Sequence, residues 1–93
     1  MPATESDTKS AKVSERQIRN ASIAERVLPI VGANIVARRE ELGMSQRAMA
    51  EHAGVDRIWI RQVEQGNRAA TLIILAKIAE ALDTSVEALT AGV

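Results

Sequence analysis

Between Gly43 and Arg68 the chain reads GMSQRAMAEHAGVDRIWIRQVEQGNR, and three of its five glycines fall there, at 43, 54 and 66. Those intervals are about three helical turns each. Gly43 is followed two residues later by Ser45, and Gly54 two residues later by Asp56. Glycine takes the left-handed conformation that closes a helix, and serine or aspartate then caps the next one. The pattern predicts two short helices, one capped by Ser45 and running to Ala53, the other capped by Asp56 and running to Gln65. A sharp turn at Gly54–Val55 joins them. Met49, Ala50 and Ala53 then point inward on the first, and Ile60 and Val63 on the second, with Val55 plugging the corner.

The flanking segments read as helices too. Val31, Ile35, Arg38/Arg39 and Leu42 keep helical spacing, so a helix from about Pro29 to Leu42 is expected, with Pro29 in its first turn. Thr71 is placed to cap a helix to Leu82, burying Leu72, Leu75, Ile78, Ala79 and Leu82. Thr84-x-x-Glu87 has capping-box form and opens a last short helix that buries Val86 and Leu89. Residues 1–13 are polar and unpatterned and are expected to be disordered. From Ser14 a helical pattern is available, with capping-box forms at Ser14-x-x-Gln17 and Ser22-x-x-Glu25 and an apolar edge of Ile18, Ile23, Val27 and Leu28. The division is therefore an N-terminal extension, 1–28, disordered then helical, and a helical domain, 29–93.

Composition narrows the class. At 93 residues and 46% hydrophobic, the chain suits one small domain with an aliphatic core, Trp59 being its only aromatic. There is no cysteine and a single histidine, His52, expected to face solvent. Disulfides, thiol chemistry and a zinc site are thus not expected, nor any other metal or cofactor. No phosphate loop, HExxH or nucleophile elbow is present, so no enzyme is expected. The N-terminus lacks an apolar signal region, and the longest strongly apolar run, Leu72–Ala76, is far too short to span a membrane. A cytoplasmic protein is the simplest expectation.

Net charge is zero, but its distribution is uneven. From Arg57 to Arg68 three arginines face one acid, Glu64. After Ala69 one lysine faces Glu80, Asp83 and Glu87. With Ile60 and Val63 turned inward, Arg57, Ile58, Arg61 and Gln62 form the outward surface of the second short helix. A helix with such a face suits the major groove of DNA, where arginine can grip guanine at two atoms, glutamine can do the same with adenine, and an aliphatic chain can press a thymine methyl. Gln46 sits at the N-terminus of the preceding helix, where free amides favour a phosphate. Arg47 and Arg68 are further candidates for the DNA backbone. Trp59 has two readings, burial against the preceding helix or the Arg39 stem, or contact with the DNA backbone.

Residues 32–89 resemble the Cro/repressor-type (XRE) helix-turn-helix family of bacteria and phages. The resemblance is carried by Ser45-Gln46, Ala50, Gly54-Val55, Ile60, Val63-Glu64, Gly66 and the run from Leu75 to Leu82. It implies an all-α, five-helix, lambda-repressor-like domain, here with a helical N-terminal extension. It implies binding to double-stranded DNA, usually as a homodimer on a near-palindromic operator. By this resemblance Gln46 binds phosphate, Arg57, Ile58 and Gln62 face bases, and Arg39 pairs with Glu64. The stretch Asp56-Arg57-x-Trp59-Ile60, with Val63-Glu64 and Arg68, is similar to the controller proteins of restriction–modification systems.

Four features depart from the family pattern. Ala48 stands where an acid is usual, Ala69-Ala70 where Asn-Pro is common, Ile73 and Ile74 where polar residues are usual, and the 28-residue extension is additional. The last two suggest that Ile18, Ile23, Val27 and Leu28 cover Ile73 and Ile74, in the same chain or in a partner. The function expected is a transcriptional regulator, a dimeric repressor or autoregulator. The alternative is a protein-interaction module, an antitoxin or anti-repressor, with the extension as its partner-binding arm.

Overall fold

The computed structural model describes the backbone of residues 2–93 and the side chains of residues 14–93. It contains α1 (Pro2–Glu41), α2 (Gln46–Ala53), α3 (Arg57–Glu64), α4 (Leu72–Ala81) and α5 (Val86–Leu89), and no strand among the described residues. Residues 1–13, expected to be disordered, have helical backbone from Pro2 onward, and their side chains lie outside the described residues.

The caps explain the helix starts. Ser45 Oγ accepts from the Ala48 amide at 3.0 Å, Asp56 Oδ1 from the Ile58 amide at 2.8 Å, and Thr71 Oγ1 from the Ile74 amide at 3.2 Å. Each satisfies an amide with no intrahelical partner, a contribution of about 1 kcal/mol per cap. Gly43, Gly54 and Gly66 all have positive φ, as the stop signals require.

The core is aliphatic: Val31 and Ile35 of α1, Met49, Ala50 and Ala53 of α2, Ile60 and Val63 of α3, Leu75, Ile78 and Ala79 of α4, then Leu82 and Leu89. Taken as whole residues, no polar or charged residue is fully buried among those described. Polar side chains of α1 instead close the open ends of α4 and α5. Arg38 donates from Nε to the Leu82 carbonyl at 2.8 Å and from Nη2 to that of Asp83 at 3.0 Å. Asn34 Nδ2 donates to the carbonyls of Leu89 and Ala91 at 3.0 and 2.9 Å. These satisfy carbonyls that the last helical turns leave unpaired, and a guanidinium also suits the negative end of a helix dipole.

The structure corrects several sequence expectations. The first helix does not begin at Pro29, which lies inside α1, as do the capping-box forms at Ser14 and Ser22. Val27 before the proline and Val31 after it both pack on the core, which offsets one missing backbone hydrogen bond. The last helix is capped by Ser85, whose Oγ accepts from the Ala88 amide at 3.0 Å, and not by Thr84. The Thr84 amide is already bonded to the Ala79 carbonyl, and Asp83 takes a left-handed φ of 50°, so the exit from α4 consumes both residues. Leu72, expected inside, is the first residue of α4 and is 68% exposed. Leu42 follows the last turn of α1 and is also exposed. Within the chain the extension does not cover Ile73: Ile18, Ile23 and Ile73 are all exposed, while Ile74 leans on the core.

Candidate nucleic-acid interface

The sequence of α3 forces its faces apart. Ile60 and Val63 are buried, which turns Arg57, Ile58 and Arg61 to solvent and leaves Gln62 half-buried at the edge. Gln46, Arg57, Ile58 and Arg61 line one open hollow of about 510 Å³ between the start of α2 and the outer face of α3. Ile58 is 68% exposed amid these polar chains. Leaving an isoleucine in water forfeits roughly 25 cal/mol per Å² of apolar surface, a stabilisation recovered only on contact with a partner.

Behind this face lies an ion-pair network that joins three helices. Arg39 of α1 donates from Nε to Glu64 Oε2 at 2.8 Å and from Nη2 to Glu64 Oε1 at 3.0 Å. Its Nη1 donates to the Met44 carbonyl at 2.9 Å, fixing the turn into α2. Gln46 Nε2 donates to the same Glu64 Oε1 at 2.9 Å, leaving its second amide hydrogen for another acceptor. The hydrogen bond to Glu64, opposed by partial burial, raises the Arg39 pKa above its already high ordinary value, so the guanidinium stays charged. The Arg39 and Glu64 side chains are 15% and 4% exposed. The only acid between Arg57 and Arg68 is thereby neutralised and withdrawn from the surface. What remains outside on α3 and its exit loop is cationic.

The other candidates take different places. Arg47 is exposed, 3.6 Å from Glu51, and borders a neighbouring depression that Arg57 also lines. Trp59 is half-buried against the core, and its Nε1 is buried without a partner, so the indole N–H is not offered to solvent. Arg68 instead lies over the ring, its Cζ 5.6 Å from the centroid. That distance fits a cation–π contact, which restrains an otherwise free guanidinium beside α3. His52 is exposed, as expected.

Two contributors were not anticipated. The third arm of the network, Gln46 to Glu64, needs the two helices to cross, which spacing alone does not reveal. Gly32 lets α1 lie directly on the end of α3: a Cβ there would stand 2.5 Å from the Glu64 carbonyl oxygen and 2.7 Å from that of Val63. Its signal in the sequence was a glycine placed mid-helix, where propensity alone disfavours it.

A pair of capped helices at a glycine turn, with a solvent-facing row of long donors on the second, defines a helix-turn-helix DNA-binding domain. The helix-turn-helix family pattern matches residues 35–89, and the chain belongs to that family. Over 58 residues, 62% of this chain, it is 40% identical to the HTH-type transcriptional regulator Rv0474 of Mycobacterium tuberculosis. The chain spans 41% of that relative's length. Among solved structures it resembles the restriction–modification controller protein C.AhdI of Aeromonas hydrophila, at 34% identity and a TM-score of 0.65, covering 67% of this chain and 94% of that one. It also resembles the clp gene regulator ClgR of Corynebacterium glutamicum, at 25% identity and a TM-score of 0.65, covering 68% and 67%. The chain carries the helix-turn-helix fold of that family and is similar to HTH-type transcriptional regulators and to controller proteins among others. No described helix is long and apolar enough to cross a membrane.

Proposed function

We propose that the chain is a dimeric repressor or autoregulator that reads a near-palindromic operator with α3 in the major groove. The observation that carries this reading is the convergence of Gln46, Arg57, Ile58 and Arg61 on one open hollow while Glu64 is held behind it. Arg57, Ile58, Arg61 and Gln62 are the base readers. Gln46, Arg47 and Arg68 are the phosphate contacts, and Trp59 serves the backbone contact by seating Arg68. Two copies place their α3 helices in successive major grooves, about 34 Å apart.

The test is selection of random-sequence duplex DNA by the purified protein, followed by sequencing. A palindromic motif is expected. Arg57→Ala should lose about 1–3 kcal/mol at one base position in each half-site, whereas Gln46→Ala should weaken all sequences alike. If the two variants lost affinity in the same uniform way, the assignment of base readers would be wrong. No enrichment at low salt from folded protein would overturn DNA recognition itself.

A further inference from the structure

One face of α1 holds the C-terminal turn of the chain and then continues bare. Along it, Asn34 binds the carbonyls of Leu89 and Ala91, Ile30 lies against Gly92, and Arg26 donates from Nη1 to the Val93 carbonyl at 3.0 Å. Over the next three turns toward the N-terminus the same face carries Ile23, Arg19 and Arg16, all exposed. At about 100° per residue, Arg16, Arg19, Ile23, Arg26 and Ile30 fall within roughly 80° of one another. Ile23 is 52% exposed in the middle of this basic stripe. Neither Arg16 nor Arg19 has an ion-pair partner among the described residues.

The outward face of α4 has the complementary pattern. Ile73, 66% exposed, is followed on the same face by Ala76 and Glu80, both exposed, and Leu72 flanks it. Glu80 has no ion-pair partner among the described residues either. Ile73 and Glu80 are seven residues apart, as are Ile23 and Arg16, but in the opposite chain direction. Seven residues are about 10.5 Å and two turns, so each pair is aligned along its helix. If two helices pack antiparallel with Ile23 on Ile73, Arg16 meets Glu80, and Arg19 flanks the same carboxylate. Lys77 and Arg19 then fall on opposite sides of the seam.

We propose that the bare stripe of α1 docks on the outward face of α4 of a second copy of this chain, with Ile23 on Ile73 and Arg16 and Arg19 around Glu80. The contact is reciprocal, as two-fold symmetry requires, so each subunit contributes both faces. A standard stable interface buries about 800 Å² per partner, and two such helix pairs share that burden between them. Ile23 of the extension and Ile73 of α4, both exposed within one chain, thereby cover each other between chains. This inference gives the contact that makes the dimer of the proposed regulator, and it does not depend on DNA.

The experiment is sedimentation equilibrium of the full chain without DNA. Wild type is expected to dimerise at micromolar concentration. Arg16→Glu with Arg19→Glu, and separately Glu80→Arg, should each raise the dimer dissociation constant about tenfold or more. Combining all three substitutions should restore it to within about threefold of wild type. All three sites are exposed, and matching circular dichroism melts would show that each variant folds. A wild-type chain that stays monomeric, a dimer indifferent to the reversals, or a failure of the triple variant to recover would overturn the proposal. Operator selection is read separately: loss of DNA enrichment with the dimer and its charge-reversal pattern intact refutes the DNA reading alone.

Discussion

Gly32→Ala adds one carbon where α1 meets the end of α3, and the structure sets the size of the effect. The new Cβ would stand 2.5 Å from the Glu64 carbonyl oxygen and 2.7 Å from that of Val63. Both are backbone atoms, so no side chain can swing aside. Reaching an ordinary carbon–oxygen contact of about 3.3 Å requires the helices to part by roughly 0.8 Å. With backbone on both sides, overpacking here falls in the upper part of its usual range, about 2–3 kcal/mol, while replacing a mid-helix glycine by alanine returns about 1 kcal/mol. The net expectation is a loss of about 1–2 kcal/mol, a fall in melting temperature of roughly 5–15 °C for a domain this small. The displaced α3 carries Glu64 away from Arg39 and Gln46, so operator affinity should fall even where the variant is fully folded. Thermal melts and operator binding of Gly32→Ala and wild type, measured together, decide it. A variant as stable as wild type, or more so, would refute the argument, because helix propensity alone would then govern the site.

Three further substitutions probe other parts of the fold. Glu64→Ala leaves Arg39 partly buried and unpaired and frees Gln46, so stability should fall by about 3 kcal/mol in denaturant unfolding, with operator affinity reduced for all sequences. Pro29→Ala supplies the amide hydrogen that α1 lacks at that turn, and should raise the unfolding midpoint by about 1–3 kcal/mol equivalent; an unchanged midpoint would show that the proline costs this helix nothing. Asp83→Gly relieves a left-handed backbone and removes a negative charge from the end of α4, so a gain of about 0.5–1 kcal/mol is expected by calorimetry, with operator binding unchanged.

What the sequence made legible was decided locally, and what it hid was decided through space. Ser45, Asp56 and Thr71 cap helices because a side-chain oxygen reaches an amide two or three residues on. Gly43, Gly54 and Gly66 stop helices by their own φ. These events involve a few neighbouring residues, and the periodicity between them placed most of the core. Thr84 looked like a cap by the same rule, yet the exit of α4 had already taken its amide. Pro29 looked like a helix start, yet packing on both sides of it carries α1 through. Leu72 fits the inward period of α4, but periodicity says only where a side chain points, not whether another element reaches it.

The same division runs through the candidate interface. The outward set Arg57, Ile58 and Arg61 follows from two inward residues of the same short helix, so it could be read directly. The electrostatics could not. A chain of zero net charge presents a cationic face because Arg39, reaching across from α1, takes the one acid of α3 out of solvent and ties Gln46 to it. That reach exists only because Gly32 brings α1 down onto the α3 backbone. The charge of the surface is therefore a consequence of helix packing. A substitution that changes no charge, such as Gly32→Ala, should alter it as surely as the loss of an arginine.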